Sequence, residues 1–503
     1  MILLDGHHLT LDALARIAYG GERVGLSDEA RAAVAASRAV VESHAARGTA
    51  VYGVNTGFGA LADVAIPADQ LAQLQLNLIR SHAAGVGDPL PAPIVRAVMA
   101  LRANVLAKGF SGIRIATLEA LIALLNAGVH PRVPSRGSVG ASGDLAPLAH
   151  LALVVVGEGE AEYQGAQLSG ADALARAGLA PVVLAAKEGL ALINGTQASA
   201  AVLALAVLAA ARLARAADVA AALSVDALRG SFHPFEARIH AARPVPGQAA
   251  SAANLLALGA GSGINKSHEL CGKVQDAYAL RCAPQVHGSA REAIGFAHRL
   301  VEIEANAATD NPMVFADAGE IVSGGNFHGA PIALAADTLA IGLTQLASIS
   351  ERRTDRMMTP HESGLPAFLV RDSGLNSGFM MAHVTAAALT SEMKTLAHPA
   401  AVDSIPTSAG REDHVSMSMW AAIKAWRAVE LATDVVAIEI MSACQGLDLL
   451  APLTSSPRLA SVQQVVRANV PTLVQDRPPS PDIARIAQLI ASGAIEAASG
   501  ELK

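Results

Sequence analysis

Residues 421 to 446 place charged side chains at Lys424, Arg427, Glu430 and Asp434, at spacings of three and four on an otherwise largely apolar stretch, with Glu439 further along. One polar stripe on an apolar cylinder describes a helix covered on most of its sides. Segments 198–228 and 330–352 repeat the pattern, short Gly/Pro punctuation separates them, and strand signals are sparse. The expected fold is mainly α: a long-helix bundle with a smaller N-terminal α+β region. With 503 residues, 52% of them hydrophobic and only 16% charged, the chain has ample material for a large core. The surplus of apolar helix surface predicts burial against other copies, hence a homo-oligomer.

The uncharged run 189–211 invites a membrane reading, but Asn194-Gly195-Thr196-Gln197 interrupts it and Arg212, Arg215 and Asp218 follow, so a buried bundle helix is expected. A net charge of -7 without a Lys/Arg cluster argues against a nucleic-acid partner. Three cysteines, Cys271, Cys282 and Cys444, lack a C-x-x-C pair and fit a reducing compartment, with the cytoplasm as default. Met1 to Asp5 carries no secretory pattern. The weakest seam is Gly85 to Pro93. A soft boundary near residue 110 divides an N-terminal region, 1–110, from a bundle, 111–503, whose stretch after Pro452 forms a peripheral cap.

Gly137-Ser138-Val139-Gly140-Ala141-Ser142-Gly143-Asp144 precedes an apolar run from Leu145 to Val156. Its plain reading is a flexible glycine loop with Asp144 as N-cap of the next helix. Its chemical reading is a tripeptide, Ala141-Ser142-Gly143, that closes on itself: the Gly143 nitrogen attacks the Ala141 carbonyl and two waters leave, giving a methylidene-imidazolone (MIO). The glycine lets the amide nitrogen approach, and the serine becomes a dehydroalanine. The positive end of a following helix would sharpen the electrophile.

The run Gly140 to His150 resembles the signature of the MIO-dependent aromatic amino acid ammonia-lyases and aminomutases. Further matching segments are Tyr52 to Gly59, Asn194-Gly195-Thr196, Gln275 to Arg281, Thr309 to Pro312, Gly325 to His328 and Glu412 to Met417. The resemblance covers nearly the whole chain. It implies a fumarase/aspartase-like helical architecture, a homotetramer with active sites shared among subunits, an MIO formed from Ala141, Ser142 and Gly143, and no metal or diffusible cofactor.

Within that resemblance Tyr52 matches the catalytic base. A phenol, with a reference pKa of about 10, must be depressed by its site to work near neutrality. Asn194 matches a residue that supports the prosthetic ring, Tyr278 one that hydrogen-bonds near it, and Phe327 a pocket wall. Arg281 matches the partner of the substrate carboxylate, a task suited to a planar fork of donors. Spacings of three would put Tyr278 and Arg281 on one helix face, with Gln275 one turn earlier.

Substrate choice centres on Ser81-His82. Leu71, Leu74, Leu78 and His82 recur at helical spacing, on a helix expected to end at Gly85. A Ser-His pair here resembles the histidine-directed members of the family, and Glu412 fits the same reading, because a carboxylate accepts an imidazole N–H. The implied reaction is elimination of ammonia from L-histidine to give trans-urocanate, by attack of either the substrate amine or its ring. Two departures, Gly410-Arg411 before Glu412 and Gly329-Ala330-Pro331 after His328, keep a phenylalanine- or tyrosine-directed lyase or an aminomutase open. A silent helical scaffold is the rival from another class. Gly259 to Gly263 lacks a preceding strand for a dinucleotide loop, and no G-x-S-x-G or H-E-x-x-H motif occurs.

Overall fold

The computed structural model describes residues 1–47, 51–57, 64–269 and 271–503. It is 61% helical. The apolar stretches that the periodicity marks become the helices Gln197–Ala227, Ala330–Met358 and Ser418–Leu449. The uncharged run splits where polar residues interrupt it, into a short helix Glu188–Ile193, the Asn194–Thr196 turn and the long helix from Gln197. Two helices, Gln197–Ala227 and Ala330–Met358, are long and apolar enough to cross a membrane, yet 72% and 67% of their apolar windows are buried in the fold.

The chain forms two compact units, one of residues 1–205, 298–337 and 399–423, the other of 206–297, 338–398 and 424–503. Among the described residues every strand falls in the first unit. Ile2–Leu4 pairs parallel with Val24–Leu26, Val86–Pro89 antiparallel with Pro134–Arg136, and Met313–Phe315 antiparallel with Glu320–Val322. His130–Pro131, Glu160–Tyr163 and Ala166–Ser169 make a three-stranded antiparallel sheet. The first unit's central helix, Ala92–Ala107, is buried over nearly its whole length, including Arg96 and Arg102. In the second unit, Lys424 and Glu439 of the 418–449 stripe are buried, while Arg427 and Glu430 are exposed. Small polar side chains start several helices: Thr10, Ser169, Ser262 and Ser456 each accept a first-turn N–H.

Candidate active site

The glycine loop leaves the strand Pro134–Arg136 and runs into the helix Leu145–Val155. Its bend is made against a second backbone. Gly143, at φ +71°, bridges Gly195, and the Asp144 N–H donates to the Gly195 carbonyl at 2.7 Å. A Cβ on Gly143 would sit 2.2 Å from that carbonyl oxygen, so only glycine permits the approach. On the other side the Ser416 hydroxyl donates to the Gly140 carbonyl at 3.0 Å and the Met417 N–H to Val139 at 2.8 Å.

Asp144 precedes the 145–155 helix but does not cap it with its side chain, contrary to the sequence expectation. Its carboxylate, fully buried, accepts instead from the Ser199 N–H (2.7 Å) and hydroxyl (2.8 Å), in the first turn of the 197–227 helix, and from Ser138 at 2.9 Å. The loop is thus tied to a helix far along the chain. Burial pushes the Asp144 carboxyl above its ordinary range against the pull of these donors.

Ser142 stands half-buried between two partners. Its carbonyl accepts from Asn194 Nδ2 at 3.2 Å, and its hydroxyl donates to Glu412 Oε1 at 3.3 Å. The other oxygen of Glu412 accepts from the Thr407 hydroxyl at 2.5 Å. Asn194 Oδ1 is buried without a protein partner. Tyr52 lies half-buried in a turn whose Gly53, at φ +76°, packs on the 188–193 helix and on Pro312: a Cβ there would meet Leu190 at 2.7 Å and Pro312 at 3.0 Å. Phe58 and Gly59 of that motif lie outside the described residues. Phe327 is half-buried in the turn before the 330–358 helix, and the adjacent His328 stacks on His414 with ring centroids 5.8 Å apart.

The helix bearing His82 runs Leu71–His82 and stops before Gly85, whose N–H donates to His150 Nε2 at 3.0 Å as the chain turns into the next strand. Its most buried face is Gln75, Leu78 and Ile79. His82 Nδ1 lies 2.8 Å from the Leu78 carbonyl and 3.0 Å from the Ser81 hydroxyl. A carbonyl can only accept, so the contact with Leu78 requires a proton on Nδ1.

Gln275, Tyr278 and Arg281 belong to the second unit. Tyr278 and Arg281 share a one-turn helix, Tyr278–Arg281, with the guanidinium 4.7 Å from the ring centroid. Gln275 is not on that helix; it lies exposed in the preceding irregular segment. The reason is local. Asp276 is pinned by the Ser231 N–H at 2.7 Å, and Ala277 is extended, so helix begins only at Tyr278. Arg281 Nε donates to the Asp276 carbonyl at 3.0 Å, and Gln275, Asp276 and Arg281 line an open groove of about 910 Å³ with Arg229, His233 and His268.

A family model described as aromatic amino acid lyase matches residues 9–468. The chain belongs to this family. Over 504 residues it is 57% identical to a histidine ammonia-lyase of Anaeromyxobacter sp. (strain K), spanning 98% of this chain and 99% of the relative. Among solved lyase-family structures, histidine ammonia-lyase from Trypanosoma cruzi superposes with a TM-score of 0.92 at 47% identity, over 99% of this chain and 94% of that one. Tyrosine aminomutase from Streptomyces globisporus gives 0.94 at 38% identity, over 99% and 98%. Sequence reasoning passed over several residues that brace this lyase's loop, Ser138, Ser199 and Ser416, and one, Arg102, that holds the Asn194 turn beside it. Ser416 lay inside a recognised segment, and Arg102 was signalled only by a charge inside an apolar helical run.

Proposed function

We propose that the chain catalyses the non-oxidative elimination of ammonia from L-histidine to trans-urocanate, the activity of a histidine ammonia-lyase, on an MIO formed from Ala141, Ser142 and Gly143. The observation that carries this reading is the placement of Ser142, with an amide donor on its carbonyl and a carboxylate on its hydroxyl.

The residues fit the prosthetic group. In the closed ring the Ser142 carbonyl is conjugated with the exocyclic carbon, so the Asn194 N–H would draw electron density from it. The missing Cβ at Gly143 and the unpartnered Asn194 Oδ1 leave room and hydrogen-bonding capacity at the bend. When formed, the group supplies an electrophile for the substrate's amine or its imidazole.

The chain's own residues then have distinct tasks. Arg281 pairs with the substrate carboxylate through a fork of donors, with Tyr278 and Gln275 beside it. Glu412 accepts an imidazole N–H, His82 Nε2 offers a second acceptor, and Phe327 walls the ring. Tyr52 removes the β-proton. A pocket with such acceptors leaves them unpaired against a phenyl ring, which disfavours phenylalanine by roughly 10⁴-fold. The elimination balances as amino acid to unsaturated acid plus ammonia.

The assembly proposed is a homotetramer with shared sites. Its support is the apolar surface left open on single chains, such as Val274 at 96% and Leu334 at 53% exposure. Free cysteines at 271, 282 and 444 support a cytoplasmic setting. The aminomutase reading keeps one observation in its favour, the TM-score of 0.94 to tyrosine aminomutase. Incubation with histidine, phenylalanine and tyrosine separately tests the proposal: urocanate is expected from histidine, and Ser142→Ala is expected to make none. A cinnamate-type acid or a β-amino acid, without urocanate, would overturn it.

A further inference from the structure

Arg102 lies in the 92–107 helix, fully buried, and reaches none of the atoms that react. Its NH1 donates to the Asn194 carbonyl and to Gln197 Oε1, each at 2.6 Å, and its NH2 donates to the Ala191 carbonyl. Gln197 is in turn held by the Thr309 hydroxyl, to which its Nε2 donates at 2.8 Å. One planar group therefore clamps the end of the 188–193 helix to the start of the 197–227 helix, with Asn194-Gly195-Thr196 stretched between them. Gly195, at φ +141°, lies directly against it: a Cβ there would be 2.9 Å from Arg102 NH1.

The clamped turn is the surface on which the tripeptide bends. Asn194 reaches the Ser142 carbonyl, and the Gly195 carbonyl takes the Asp144 N–H, so the segment is tied at its middle and just past its end. Burying a guanidinium is costly, and a well-packed apolar side chain would hold a fold equally well. A lysine could satisfy one of these acceptors by a flexible stem but could not set their mutual angle.

We propose that Arg102 is a positioning residue for cyclisation of Ala141-Ser142-Gly143, holding the Asn194–Gly195 turn in the shape that presses the Gly143 nitrogen toward the Ala141 carbonyl. The inference rests on the reading that this tripeptide closes. In that closure the Gly143 nitrogen bonds to the Ala141 carbonyl carbon. The Ala141 oxygen leaves as water with the Gly143 and Ser142 amide protons, and the Ser142 hydroxyl leaves as a second water with the α-proton. No oxidant or reductant is involved. Arg102 gives up no proton and acts only through the turn.

The test is the mass of the intact denatured chain, sampled over time after synthesis, beside a thermal melt of the same protein. Wild type is expected to be two waters lighter than its sequence. Arg102→Lys is expected to close about ten- to a hundredfold more slowly, the effect of a slightly misplaced reacting pair, and so to show folded chains at full mass. Arg353→Met is the comparison for stability alone. It removes the cation of a fully buried pair with Glu439, which lies 2.5 Å away, and does not touch the carbonyls of the Asn194–Gly195 turn. It is expected to melt earlier yet to be fully dehydrated. Full-mass chains in both variants, in proportion to lost stability, would reduce Arg102 to a structural residue. If Arg102→Lys does not fold, Gln197→Leu carries the test, since it removes one of NH1's two acceptors, and wild-type closure there overturns the proposal. Wild type at full mass would instead refute the prosthetic-group reading itself, whereas rapid closure in Arg102→Lys refutes only the role of Arg102.

Discussion

The tripeptide 141–143 is gripped by buried groups from several directions, whereas the Tyr278–Arg281 turn is anchored through its backbone and the buried Leu280 and presents Tyr278 outward. Ala141, Gly143 and Asp144 are buried and Gly143 touches a neighbouring main chain; Tyr278 is 71% exposed. The contrast follows from what each region is proposed to do. Ring closure joins atoms of one chain, and the supports described around it come from that same chain. A carboxylate-binding turn has only to be presented at a fixed height and angle.

That turn nevertheless has a rigid floor. Arg353, fully buried, donates to the Ala279 carbonyl at 3.3 Å from a bed formed by Glu439, at 2.5 and 2.8 Å. Its NH2 also approaches His287 Nε2 at 3.4 Å, and His287 Nδ1 donates to Asp218 at 2.7 Å. Burial holds the His287 imidazole below its ordinary pKa, consistent with a neutral ring that accepts from one side and donates to the other. The largest effect expected is therefore in the second unit. Arg353→Met leaves the Glu439 carboxylate buried without its cation and should cost about 3–5 kcal/mol in a denaturant melt. The chains that do fold should still be two waters lighter. A loss under about 1 kcal/mol would show that the Glu439 bed does not hold the turn, and full-mass folded protein would show that the two regions are not held independently.

These buried charges mark where the sequence stops being legible. Long apolar helices were readable because their periodicity is local: Lys424, Arg427, Glu430 and Asp434 announce the 418–449 helix by themselves. Ser142, Asn194 and Glu412 were readable as members of recognised segments, but not their pairwise contacts. Arg102 and Arg353 were not readable, because hydrophobic periodicity assigns a charge to solvent and their partners lie far along the chain. Asp144 misled for a related reason. A cap is a local inference, and here a distant helix start offers two donors to the same carboxylate.

A smaller perturbation sharpens the contrast from the electrophile's side. A Cβ on Gly329 would meet Ser418 Oγ at 2.3 Å and Ser416 Oγ at 2.8 Å, where Ser416 braces Gly140. Gly329→Ala should cost about 1–3 kcal/mol by overpacking, and adding Ser418→Gly should recover part of it. Strict additivity of the two changes in paired melts would mean that this side of the loop is not closely packed.

The smallest stability effect belongs to the exposed turn. Tyr278→Phe removes one hydroxyl from a ring already open to solvent and leaves the face beneath Arg281 intact, 4.7 Å from the guanidinium. Surface changes of this kind usually move stability by less than about 0.5 kcal/mol, and the fraction of dehydrated chains should not move at all. Turnover of histidine should nevertheless fall, because the hydroxyl's proposed place is beside the substrate. If Tyr278→Phe melts like wild type and also turns over like wild type, the turn presents Arg281 alone. If it melts far lower, the ring is packed in the assembled protein in a way the single chain leaves open, and the phenol's part in chemistry must be separated from its part in assembly by measuring the oligomer directly.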